Sequence, residues 1–162
     1  MGNAGTIDGY RGIDVEGTIA SLSNSGAILG RGDYGIHASS SATIGVIINS
    51  GTVAGGFENK DSALKISGAV GVLSNTGDGV LRSLSSGIDI QSGASVQSLE
   101  NAGSISTSWW GILSDGAIGA LTTSGTITSW SGVHSKGSIS SVNNSGVVDG
   151  WYEAPVSYTH LT

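Results

Sequence analysis

A chain of 162 residues with a formal net charge of −6 and no cysteine suits one domain or part of a larger one, and it excludes a disulfide framework and thiolate zinc. Charged residues make up 11% and glycine fills 28 positions, too little charge for an ordinary globular surface and too many recurring aliphatics for disorder. The acidic balance leaves no basic stripe for nucleic acid or an anionic membrane surface, and no apolar run approaches a membrane span.

In chain order, one signature cuts the sequence again and again: NAGTI at Asn3, NSGAI at Asn24, NSGTV at Asn49, NTGDGV at Asn75, NAGSI at Asn101, TSGTI at Thr123 and NSGVV at Asn144. By subtraction the steps are 21, 25, 26, 26, 22 and 21 residues, a period that marks a stacked repeat. Each unit carries three short apolar peaks. The first has Ile7, then Ile13 and Val15, then Ile19 and Leu22; the second has Ile28, Ile36, and Ile44 with Ile47. The third has Val53, Leu64 with Ile66, and Val70 with Leu73; the fourth has Val80, Ile88 with Ile90, and Val96 with Leu99. Ile105, Ile112 and Ile118 with Leu121 form the fifth, and Ile127, Val133 and Ile139 with Val142 the sixth.

Alternation such as Ile13-Asp14-Val15 has the period of two of a strand with one buried face. Strands this short need neighbours, and three per unit at a fixed period stack coil on coil. The sequence therefore predicts an all-β, right-handed parallel β-helix over residues 1–154, with six to seven coils of 21–26 residues and three strands in each. Ile19, Ile44, Val70, Val96, Ile118 and Ile139 should form one inward column. Extra residues are expected between the first and second strands or between the second and third. The alternative, antiparallel hairpins turning at Asn-x-Gly, has no need of three strands per repeat or of aligned columns.

The third peak reads apolar-x-x-apolar-x-Asn-x-Gly, which sets Asn24, Asn49, Asn75, Asn101 and Asn144, with Thr123 in the remaining unit, at one turn. Asn suits a sharp turn, and repeated in every coil its amides can bond one another as a ladder. The glycine two residues on allows tight or positive-φ backbone.

"IASLSNSGAI", "VQSLENAGSI" and "IGALTTSGTI" resemble the repeats of bacterial autotransporter passenger domains and related β-helical surface adhesins, and the likeness runs from Gly2 to about Tyr152. It implies export, passage through a C-terminal translocator barrel and display on the cell surface, with neighbouring coils of a longer passenger and a host surface protein or glycan as partners. The segment itself is expected not to insert in a membrane. Met1 falls inside a repeat, so the chain is read as an internal piece. At the far end, "VSYTHLT" resembles the translation of a transposon-end sequencing adapter, and 155–162 is read as a non-native tail.

Enzymes on β-helices need acids on adjacent coils of one face. The outward position of the second strand reads Asp14, His37, Lys65, Asp89, Leu113, His134, which never sets two acids side by side. Asp115 with Lys136 reads as an exposed opposite-sign pair. There is no Gly-x-Ser-x-Gly elbow, no EF-hand loop and no calcium nonapeptide, and His37 and His134 lie too far apart to share a metal. No catalytic residue, metal or cofactor is assigned.

Two features remain as candidate ligand sites. Arg31-Gly32-Asp33 spells an integrin-type tripeptide in a long turn, where the aspartate would complete a receptor metal's coordination. Tyr10, Tyr34, Phe57, Trp109 with Trp110, Trp130, and Trp151 with Tyr152 all follow the first strand, interrupted at Leu84. Such a stripe packs the turn or forms a platform for sugar rings. The sequence reading is a non-catalytic structural and adhesive segment of a secreted or surface-displayed protein; the alternatives are a carbohydrate-binding β-helix and a fragment of a polysaccharide lyase or hydrolase.

Overall fold

The computed structural model describes residues 1–58 and 61–153, and the tail at 155–162 lies outside them. Among the described residues the chain is all β, a parallel solenoid of about six turns. Third strands stack in one sheet: Gly2–Asn3, Thr18–Asn24, Thr43–Asn49, Ala69–Asn75, Ser95–Asn101, Ala117–Thr123 and Ser138–Asn144. First strands form a second column: Thr6–Gly9, Ala27–Gly30, Thr52–Gly55, Val80–Ser83, Ser104–Thr107, the start of Thr126–Ser135, and Val147–Glu153. Second strands form the third: Ile13–Val15, Ile36–Ala38, Leu64–Ile66, Ser86–Ile90, Trp110–Ser114 and the end of Thr126–Ser135. All recorded strand pairs are parallel, so the hairpin alternative does not apply.

The register sets like on like. Ile19 pairs with Ile44, Ile44 with Val70, Val70 with Val96, Val96 with Ile118, and Ile118 with Ile139. The expected inward column is therefore present, with rungs about 4.8 Å apart. Ile36, Leu64, Ile88 and Ile112 make the equivalent column under the second strands, each at most 1% exposed. A side chain of this size contributes about 1.5–3 kcal/mol when fully buried. A core only one side chain deep from each face suffices because every coil roofs the one before it.

Three expectations need correction. In the fourth unit the inward residue of the first strand is Leu81, 0% exposed and in register with Val53 and Ile105, not Val80. The Gly77-Asp78 insertion moves the inward residue from four to six places past the ladder Asn, and Val80, one place short of it, falls on the other face. That insertion lies at the corner between third and first strands, where no extra residues were expected. In the last full coil the first and second strands run together as Thr126–Ser135.

The Asn ladder is continuous over five coils. The side-chain amide of Asn3 donates to Asn24 Oδ1 (2.8 Å), Asn24 to Asn49 (2.8 Å), Asn49 to Asn75 (2.9 Å) and Asn75 to Asn101 (2.8 Å). Each amide also reaches main-chain carbonyls that close the corner, as Asn75 does with those of Gly79 and Ser104. Thr123 is buried in the ladder's line, and Asn144 is exposed, its Oδ1 accepting from Gly146 N–H.

The glycine after the ladder has a reason other than backbone handedness. Among the described glycines only Gly56 and Gly93 have positive φ. At Gly51, Gly103, Gly125 and Gly146 an added Cβ would strike the carbonyl of the equivalent glycine one coil earlier. Where the corner carries its insertion, Gly79 rather than Gly77 takes this place. The stacking distance itself excludes a side chain there.

Gly125→Ala is expected to lower stability by more than about 2 kcal/mol, because the clash is with backbone, while Gly17→Ala, with open space around it, should shift it by less than about 1 kcal/mol. Asn75→Ala should cost about 2–3 kcal/mol by removing the bond from Asn49 and the bonds to Asn101 Oδ1 and the carbonyls of Gly79 and Ser104. Urea denaturation midpoints check all three.

Candidate functional site

The corner between first and second strands is where coils differ. The intervening segments are 10–12, 31–35, 56–63, 84–85 and 108–109, and in the sixth coil there is none. One column explains the trend. Gly9, Gly30 and Gly55 end the first strands of the early coils, and Ser83 and Thr107 continue the register. Ser83 Oγ donates to Ser86 O (2.7 Å), Thr107 Oγ1 to Trp110 O (3.0 Å) and Ser129 Oγ to Ser131 O (2.8 Å). A hydroxyl that closes the turn locally permits a short corner; glycine leaves it long.

The long early corners carry charge. The Arg31 guanidinium makes two 2.6 Å bonds to the Asp8 carboxylate, which holds that carboxyl below its ordinary range. Arg11 Nε donates to Asp33 Oδ2 (2.9 Å). Gly32 and Asp33 N–H both donate to Tyr10 O, and Gly32 is buried against the Tyr10 ring. Both charged ends of the Arg31-Gly32-Asp33 tripeptide thus engage the preceding coil. A receptor reaching for them must first break these pairs, although exposed pairs of this kind hold weakly.

Behind them Tyr34 is 5% exposed, its hydroxyl donating to Asp14 Oδ2 (3.0 Å) and its ring centroid 4.5 Å from that of His37. Burial, then the bond to Asp14, pushes the phenol up to about 12. His37 Nδ1 lies 2.9 Å from Asp14 Oδ1 and Nε2 lies 3.2 Å from Ser67 Oγ. In the tautomer with the proton on Nδ1, that nitrogen donates to Asp14 and Nε2 accepts from the serine, the contact order of an acid–base–nucleophile chain. Asp14 and His37 align in the outward column of the sequence, whereas Ser67 lies two residues past Lys65, beyond the position that defines that column. Further along that column burial raises the Asp89 carboxyl, against the opposing effects of Gln91 and Lys65. Asp115 and Lys136 stand 3.9 Å apart and exposed, as expected. No group of three metal-ligating residues occurs among the described residues.

Aromatics stand at both kinds of corner, Tyr10, Tyr34 and Phe57 in the long ones and Trp109 and Trp130 in or beside the late ones, and the stripe divides by exposure. Tyr34 turns inward, whereas Tyr10, Phe57, Trp109, Trp130 and Trp151 are 41–78% exposed. Trp109 packs on Trp130 at 5.8 Å between centroids and on its neighbour Trp110 at 6.0 Å. Trp130 sits where the pairing between Ser129 and Ser131 slips by a residue against Gly150 and Glu153, and such bulges re-aim side chains. Phe57, Trp130 and Trp151 then wall a groove of about 380 Å³ whose floor includes Arg82, Ser106 and Thr128. These three floor residues are consecutive outward positions of the first-strand column. Period-two alternation around Leu81, Ile105 and Ile127 is the signal that marks these outward positions in the sequence.

No protein-family model, curated protein or solved structure matches the chain.

Stability should fall as pH rises from about 10 to about 12, because the unfolded chain releases the Tyr34 proton at its ordinary pKa and the folded chain keeps it. Tyr34→Phe should flatten that window in pH-dependent melts. Trp130→Ala should cost about 1–2 kcal/mol, less than the roughly 3–5 kcal/mol of a fully buried ring, which chemical denaturation will read.

Proposed function

We propose that this chain is a non-catalytic, adhesive segment of a surface-displayed bacterial protein, built like an autotransporter passenger and contacting host proteins or glycans through one corner of a stiff rod. The observation that supports this reading is the ridge of exposed aromatics at the first corner. Rings left in water give up the stabilisation that burial would bring, and a ridge of them fits a contact surface. The remaining turns are small and polar, which suits a spacer that must stay soluble beside its neighbours.

Antibody raised to the segment should label intact cells that express the parent gene. Labelling only after lysis would overturn surface display. Beads coated with the chain should adhere to epithelial cells, and Trp109→Ser with Trp130→Ser should reduce adhesion severalfold while the circular-dichroism spectrum is kept. Unchanged adhesion would remove the aromatic ridge from the reading.

One observation favours a second reading, acyl transfer at Ser67, namely the Asp14–His37–Ser67 chain of contacts. A fluorophosphonate should then label Ser67 stoichiometrically and fail on His37→Ala. Absence of labelling in the folded wild-type chain leaves the three residues as a structural network.

A further inference from the structure

The groove walled by Phe57, Trp130 and Trp151 has a sign. Arg11, Arg31, Lys65 and Lys136 each pair with an aspartate. Arg82 is exposed, and among the described residues no carboxylate pairs with it. In a chain of net charge −6, an exposed guanidinium on a groove floor is a place for an external anion. The first-strand column runs on from Arg82 through Ser106 and Thr128 to Asp149. Arg82 and Asp149 are thus three rungs apart, about 14 Å. The floor is cationic at one end, hydroxylated in the middle and anionic just past the other end.

We propose that this groove binds an acidic saccharide, with a sugar carboxylate on Arg82, ring hydroxyls on Ser106 and Thr128, and the apolar face of a sugar ring on Trp130. The proposal rests on the adhesive reading and names its ligand. Guanidinium forks match a carboxylate bidentately. The volume of about 380 Å³ lies near the lower end of the roughly 300–1,000 Å³ of small-ligand sites, room for one or two sugar rings. Trp109 braces Trp130 from the coil before, so the ring is positioned before the ligand arrives, which lowers the ordering cost of binding. An extended acidic peptide fits less well. Peptides dock on sheets by adding a strand to a free edge, and here the strands carrying Arg82, Ser106 and Thr128 are paired on both sides.

The test is a glycan array bearing uronate-terminated, sialate-terminated, sulfated and matched neutral oligosaccharides, probed with the full chain and with Arg82→Gln. Binding to either carboxylated set, lowered about ten- to hundredfold by Arg82→Gln and weakened by salt, is the expected result; which carboxylated set binds identifies the sugar. Tryptophan emission should shift on titration with that sugar, and Trp130→Leu, checked by circular dichroism to be folded, should lose the shift. Neutral or solely sulfated binding, or carboxylate binding indifferent to Arg82, overturns the proposal. If the chain adheres to cells but retains no glycan, the groove inference fails and the adhesive reading stands. If it does neither, both fail.

Discussion

The structure depends on translation without rotation of register: each residue lies over its equivalent, one strand spacing along the axis. Backbone bonding alone does not choose that register, since a parallel ladder shifted by two residues would bond as well. The buried Asn ladder chooses it. Asn24, Asn49, Asn75 and Asn101 each need an amide above or below at 2.8–2.9 Å, and a shifted coil would strand them in a dry corner at a cost of about 1–3 kcal/mol apiece. The corner glycines enforce the same alignment sterically, because only glycine over glycine allows the coils to approach. Aliphatic columns, outward columns and the first-corner groove all inherit their positions from this constraint.

With the third corner held constant apart from the Gly77-Asp78 insertion, the first corner is free to vary. Its early members are long, glycine-ended and ionic; its late members are short and hydroxyl-closed; exposed aromatics stand at both. A loop that carries no register information can change its chemistry at little cost to the fold, which is why both candidate sites occur there. The Arg11–Asp33 pair ties two long loops to each other and Arg31–Asp8 ties the second to the strand before the first, while the Trp109–Trp130 contact links the last two corners.

Much of this was legible in the sequence. The columns followed from a period of two nested in a period of 21–26 residues, and the Asn ladder followed from recurrence at one turn. What escaped has physical causes. The face of Val80 and Leu81 depends on an insertion whose corner cannot be placed from apolarity when both residues are apolar. The role of the corner glycines depends on the carbonyl of another coil, a contact that no local pattern carries. Phe57, Trp130 and Trp151 come from three coils and meet through unequal loops and a bulge, so a linear stripe suggested one column where the molecule has an inward tyrosine and an outward ridge. Arg82 was visible in the alternation, but its lack of a carboxylate partner among the described residues is a property of three dimensions.

The Asn ladder has an electrical consequence. Main-chain peptide dipoles in a parallel sheet alternate in direction along each strand and largely cancel. The side-chain amides do not alternate: in every rung the donor belongs to the earlier coil and the acceptor to the later one. Four head-to-tail bonds therefore polarise one another in the same sense, with the positive ends directed toward the later coils. Asn101 Nδ2 donates to the carbonyl of Thr126, and Thr123 brings no amide to continue the line. The solenoid is thus a vector as well as a stack, and coils of this kind laid end to end would add their moments only if chain direction is kept.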